Sequence, residues 1–178
     1  MNFIPHNYQR YCIERLITEP ALGLFLDMGL GKTVTTLTAI KELKYYRFAV
    51  RKVLVIAPKK VAEATWSNEA EKWDHLKGLR VSTVLGSKTK RISALAATAD
   101  VYVINRENVV WLVDYYRNDW PFDMVVVDES SSFKDQSTKR WKALKRVRPR
   151  IKRIILLTGT PAPNDLIDLW AQMYLLDE

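Results

Sequence analysis

A chain of 178 residues is long enough to bury a substantial core and fits the size range of one domain. Its 28 Lys and Arg against 20 Asp and Glu give a formal charge of +8, which points to a polyanionic partner, since each phosphate neutralised by a cation releases condensed counterions. One cysteine, Cys12, excludes an internal disulfide, and His6 and His75, distant and without cysteine partners, exclude a structural zinc site. No apolar run approaches bilayer-spanning length and the polar first residues are too short for a signal peptide, so no membrane association and a reducing cytoplasm are expected.

In chain order, a helix is expected over residues 8–17 and a strand over 21–26. The strand runs into Asp27-Met28-Gly29-Leu30-Gly31-Lys32-Thr33, and a helix follows over 32–46 with Val34, Leu37, Ile40 and Leu43 as its packed face. Strand, glycine turn and helix make a phosphate cradle. Gly29 and Gly31 let backbone N–H groups converge on an anion, and the helix N-terminus adds its positive end. Lys32 would reach the β- and γ-phosphates and the Thr33 hydroxyl would ligate magnesium. The pattern G-x-x-x-x-G-K-[ST] is met in part, because its first position is Leu26.

Strands are then expected at 53–57, 79–85 and 101–104, each followed by a helix, at 61–73, 88–96 and 106–116. A further strand at 124–127 carries the β-branched run Val125-Val126-Val127 and ends in Asp128-Glu129, where open α/β sheets bind their ligands. Asp128 would hold magnesium, and Glu129 would polarise the attacking water. A helix at 139–147 has an inward stripe of Trp141, Leu144 and Val147. A last strand at 154–157 ends in Thr158-Gly159-Thr160-Pro161, and a helix is expected at 164–175. The alternation demands an α/β fold with a mostly parallel central sheet and helices on both faces. There is no internal repeat, low-complexity tract or long linker, and the charged stretches 41–52 and 134–153 read as connectors at the sheet's surface.

Together these residues resemble the first, N-terminal motor domain of a superfamily-two helicase, most closely the Snf-type DNA translocases, over nearly the whole chain. The resemblance implies one RecA-like P-loop domain over residues 1–178 and ATP with Mg2+ as cofactors. It further implies an ATP hydrolase that moves on double-stranded DNA when joined to a second RecA-like domain. Lys32, Asp128 and Glu129 would be catalytic. Met28, Gly29, Leu30, Gly31, Lys32 and Thr33, with Thr158, Gly159 and Thr160, would bind nucleotide, and Thr33 and Asp128 would hold the metal. His6-Asn7-Tyr8-Gln9 is similar to the glutamine motif that reads adenine, a role suited to an amide because it both donates and accepts. Ala57-Pro58-Lys59-Lys60, followed by Trp66, Glu69 and Trp73, is similar to motif Ia and the helix after it. Leu85-Gly86-Ser87 and Ile104-Asn105-Arg106-Glu107 fall where motifs Ib and Ic lie. The resemblance therefore makes Pro58, Lys59, Lys60, Gly86, Asn105 and Arg106 nucleic-acid contacts. Pro163-Asn164 through Leu169-Trp170 to Leu175 resembles the segment leading toward the second motor domain.

Two positions depart from the family pattern. The usual Asp-Glu-Ala-His box reads Asp128-Glu129-Ser130-Ser131, so Ser131 replaces the histidine that links nucleotide state to motif III, and Leu26 replaces a small residue. Compact forms of this kind resemble phage-encoded helicases, which would place the protein in a host cytoplasm. Motifs IV to VI are not found, nor the arginine that would complete the site, a group worth roughly 10³–10⁵ in rate. The chain alone is therefore expected to bind nucleotide weakly and hydrolyse it poorly. Two other readings stay open: a non-catalytic nucleic-acid or protein-binding module that keeps a P-loop fold, and an RNA helicase domain. The basic block 139–153 divides evenly between surface charge and an auxiliary DNA contact. Trp66 and Trp73 are expected to pack on the sheet. Trp120, beside Pro121, is the candidate for exposure, with strand capping the favoured role.

Overall fold

β-branched and aliphatic runs bounded by turns set the strands, and the computed structural model, which describes residues 1–26, 31–129 and 139–159, assembles them into one sheet. The strands are β1 (Ala21–Phe25), β2 (Val53–Ala57), β3 (Val81–Val84), β4 (Val101–Asn105), β5 (Met124–Asp128) and β6 (Arg153–Thr158). Among the described residues these six lie in the order β1-β6-β5-β2-β4-β3, every neighbouring pair parallel. Parallel strands need crossovers, which α2 (Lys32–Lys41), α3 (Trp66–Lys72), α4 (Lys88–Ala96), α5 (Val109–Tyr116) and α6 (Lys139–Val147) supply, while α1 (Asn7–Thr18) precedes β1.

The helix expected over 8–17 extends one residue at each end, and those over 88–96 and 139–147 form as expected. Three others are subdivided. The 32–46 helix is α-helical to Lys41 and closes in a π turn, Glu42–Tyr46. The 61–73 helix opens in a π turn, Val61–Thr65, before α3, and the 106–116 helix opens in a 3₁₀ turn, Arg106–Asn108. The strand expected at 79–85 shortens to β3 because the Leu79 N–H closes a turn onto the Leu76 carbonyl. The helix expected at 164–175 and the segment after Pro163 lie outside the described residues.

Side-chain alternation along each strand divides the core in two. One face, with Val53, Val55, Val126 and Leu157, packs on α1, α2 and α3; the other, with Leu54, Ile56, Val125 and Leu156, packs on α4, α5 and α6. The expected packed face of the 32–46 segment is confirmed: Val34, Leu37 and Ile40 of α2 and Leu43 of the π turn are all buried, each such burial worth about 1.5–3 kcal/mol. On α6, Trp141, Leu144 and Val147 are likewise buried. Trp120 is buried, not exposed, and its indole N–H donates to the Phe122 carbonyl at 2.9 Å, which makes it a cap on the entry to β5.

The basic block is less uniform than its composition suggests. Arg148 is buried and donates to the Ile151 carbonyl at 2.9 Å. Arg153, inside β6, donates to the Ile17 carbonyl at 2.9 Å near the C-terminus of α1, where a cation meets the helix's negative end. These two cations serve the fold. At the amino end of the sheet, the fully buried Asp100 carboxylate ties three segments together. It accepts from the Arg80 backbone N–H at 2.8 Å and the Tyr45 hydroxyl at 2.6 Å, and pairs with Lys44 at 2.8 Å.

Candidate nucleotide site and nucleic-acid groove

The three strand-end motifs meet because β6 lies between β1 and β5. Phe25 pairs with Thr158 and Leu157 with Asp128, so the phosphate-loop strand, the Thr-Gly turn and the Asp-Glu pair end on one edge. The Leu26 N–H donates to the Thr158 carbonyl at 3.0 Å, carrying that pairing to the start of the loop. In β5, Met124, Val126 and Asp128 alternate onto the face that α2 and α3 cover, which brings Asp128 toward Lys32 on α2 and Trp66 on α3.

There the Lys32 ammonium stands between two carboxylates. Its Nζ lies 2.8 Å from Asp128 Oδ1 and donates to Glu129 Oε1. Burial alone would push the Lys32 pKa down; the Asp128 and Glu129 carboxylates outweigh it and hold the group above the ordinary lysine value. Glu129 takes a left-handed φ of 55°, costly for a residue with a Cβ, and so turns the chain sharply at the strand's end. Asp128 is almost fully buried, and its second oxygen accepts a 3.1 Å hydrogen bond from the Trp66 indole. A cleft of about 320 Å³ opens here, lined by Gly31, Lys32, Thr33, Val34, Val61, Thr65, Glu69, Asp128 and Glu129.

Gly31 precedes α2 with φ 73°, and a Cβ placed on it would meet Gln9 Nε2 at 2.7 Å. Gln9 is itself fixed, its Oε1 accepting the His6 backbone N–H at 2.9 Å in the capping arrangement of α1. The glutamine read as the adenine contact thus packs on the end of the phosphate loop. Thr158 is buried, and its hydroxyl has no hydrogen-bond partner among the described residues. Gly159 follows it, half-buried. Met28, Gly29, Leu30 and Thr160, together with Asp27, Ser130, Ser131 and Pro161, lie outside the described residues. The donors that meet here, a carboxylate and a threonine hydroxyl, are hard oxygens of the kind that suit Mg2+.

The expected nucleic-acid contacts gather on the same edge. A groove of about 620 Å³ is lined by Lys59, Glu63, Leu85, Gly86, Asn105, Glu107 and Asn108, at the carboxyl ends of β2, β3 and β4. Lys59 and Lys60 are exposed, while Pro58 is half-buried. The Asn105 amide is held by its neighbours, donating to Glu107 at 2.9 Å and accepting from Asn108 at 2.7 Å. Arg106 pairs with Glu107 at 3.5 Å, so the groove's charge is mixed. A comparable hollow of about 600 Å³ beside Arg117, Arg146 and Arg150 lies at the far ends of α5 and α6, away from these motifs.

Sequence reasoning treated Trp66 and Glu69 as a spacing signature and missed their place in the site. Glu69 lines the same cleft as Lys32 and Asp128 and accepts from the Trp73 indole at 2.6 Å, and Val61, Thr65 and Glu69 come at four-residue intervals. Lys59 and Glu63, on the other side of the same segment, line the groove. This short stretch is a wall shared by both hollows.

Comparison with known proteins agrees with this architecture. Protein p41 of Acyrthosiphon pisum secondary endosymbiont phage 1 is 40% identical over 182 residues, covering 99% of this chain and 40% of that protein. Helicase domino of Drosophila melanogaster is 31% identical over 179 residues, covering 95% of this chain and 5% of its own length. Among solved structures, the Sulfolobus solfataricus SWI2/SNF2 ATPase core in complex with double-stranded DNA superposes with a TM-score of 0.78 at 25% identity, covering 99% of this chain and 36% of that one. The chain therefore spans well under half of each of these relatives, and carries the RecA-like α/β fold of an SNF2 ATPase core. The model of the SNF2-related domain matches residues 8–178, and on that match the chain belongs to the SNF2-related domain family.

Proposed function

We propose that this chain is the nucleotide-binding motor domain of a DNA-dependent ATPase, which works with a second RecA-like domain to hydrolyse ATP and move along duplex DNA. The observation that carries the reading is the Lys32 ammonium lodged between Asp128 and Glu129 beside Thr33, two motifs brought together from distant parts of the chain. Bound Mg-ATP would supply the transferable γ-phosphoryl group and a divalent charge. Lys32 binds and neutralises the β- and γ-phosphates. Thr33 and Asp128 hold the metal, and Glu129 orients the attacking water. Gln9 recognises adenine, and Thr158 with Gly159 and Thr160 senses the γ-phosphate side. Pro58, Lys59, Lys60, Gly86, Asn105 and Arg106 follow the nucleic-acid backbone, Lys59 and Lys60 supplying most of the attraction. Among the described residues no helix is long and apolar enough to cross a membrane, and the similarity to a phage protein supports action in a host cytoplasm.

The test is a calorimetric titration of the chain with Mg-ATP beside Lys32→Ala, followed by binding to duplex DNA and to duplex RNA with and without nucleotide. Binding lost in the variant, and DNA affinity that responds to nucleotide, are the expected results. Unaltered ATP affinity in Lys32→Ala would sink the assignment. Nucleotide-independent DNA binding would favour a simple grip, and preference for RNA would favour an RNA motor.

A further inference from the structure

We propose that Trp66 is a positioning residue for Asp128, holding the metal-binding carboxylate in one orientation through its indole N–H. The inference rests on the nucleotide-site reading above and adds a member to that site. Trp66 is fully buried at the first turn of α3, and a buried indole N–H requires an acceptor. Its acceptor is Asp128 Oδ2 at 3.1 Å, while Oδ1 lies 2.8 Å from Lys32. Each carboxylate oxygen is thereby assigned, one to the phosphate-loop lysine and one to α3, and rotation of the carboxylate about its last bond would break both contacts. Outer partners of this kind fix the direction in which a ligand presents its lone pairs.

The setting of Trp66 joins this contact to the wall of the cleft. It directly follows the π turn Val61–Thr65, whose start closes back onto the residue after β2, the Ala62 N–H donating to the Pro58 carbonyl at 2.8 Å. A π turn holds one residue more than an α turn, and such turns concentrate at functional sites. Val61 and Thr65 from this turn line the cleft, so the indole and the cleft wall belong to one continuous segment.

The experiment replaces Trp66 by β-(3-benzothienyl)alanine, which keeps the ring volume but exchanges the N–H for sulfur, with Trp66→Phe as a second variant. Binding of ADP is measured in chelator, and binding of Mn2+ to the ADP complex by electron paramagnetic resonance. The wild type is expected to bind ADP and then Mn2+. Both variants should keep metal-free ADP affinity within about twofold while Mn2+ affinity falls about tenfold. Mn2+ affinity within about twofold of wild type in the benzothienyl variant would overturn the role of Trp66 and leave the nucleotide site standing. A wild-type chain that binds neither ADP nor Mn2+ with ADP would overturn the nucleotide-site reading itself, and the role of Trp66 with it.

Discussion

Asp100 offers a quantitative test of how the sheet is held at the end opposite the candidate nucleotide site. Its carboxylate is fully buried and would be pushed up by that burial, but the Arg80 backbone N–H, Lys44, Tyr45 and the Arg80 side chain together draw its pKa down to about 2. A fall from an ordinary 3.8 to about 2, at roughly 1.4 kcal/mol per pH unit, makes ionised Asp100 worth about 2.5 kcal/mol of folding stability. Because the folded pKa is depressed, this contribution is present above the unfolded value and disappears as pH falls through about 2. Asp100→Asn keeps the shape and removes the charge. Urea unfolding followed by far-UV circular dichroism at neutral pH should show the variant's midpoint lower by about 1 M, for a slope of roughly 2–3 kcal/mol per molar. On acidification the two proteins should converge. A neutral-pH midpoint within about 0.3 M of wild type, or a constant gap down to low pH, would refute the assignment of this stability to the buried carboxylate.

Gly31→Ala combines a left-handed φ with a Cβ pressed on Gln9, so a loss of about 1–2 kcal/mol in urea stability is expected, together with a marked loss of ADP affinity by calorimetry. Lys59→Ala with Lys60→Ala should weaken duplex DNA binding and lower the dependence of log affinity on log salt by up to about 2, read by fluorescence anisotropy across a salt series. An unchanged slope would remove both lysines from the interface. Burial, with the Lys41 charge, holds the His75 pKa below its ordinary 6.5, and its ring bonds Thr38 at 2.7 Å. The folded state therefore resists protonation of His75, and stability should fall as pH drops from about 6.5 through the depressed value. His75→Gln should flatten that part of the stability profile in thermal melts.

The strands and the points at which they end were legible because their signals are local. Val125-Val126-Val127 before Asp128-Glu129 marks a strand and its end without reference to anything distant, and the three-residue recurrence on α2 marks its buried face. The π turns before Trp66 and after Lys41 were not legible, since a shift in hydrogen-bond register leaves no trace in composition or periodicity. Trp66 was correctly read as packed, yet its polar tip depends on a partner 62 positions away. Asp100 gathers groups from Lys44, Tyr45 and Arg80, and Arg153 serves a helix end 136 positions earlier; in sequence both are charges in loops or blocks. Gln9 carried a motif signal for a ligand, and its capping bond to His6 is local, but its close approach to Gly31 comes from the docking of α1 on α2. Long-range pairing was invisible where short-range pattern was plain.

The wall formed by residues 59–69 has a thermodynamic consequence. Because its opposite sides face two different hollows, a displacement that suits an occupant of one alters the shape offered to the other. Linkage then requires reciprocity: whatever factor a DNA duplex changes nucleotide affinity by, nucleotide must change DNA affinity by the same factor. Closing that four-sided cycle, with each ligand titrated in the absence and presence of the other, would measure how stiff this single layer of backbone is. A rigid wall gives a factor of one, and a yielding wall gives a factor that departs from it.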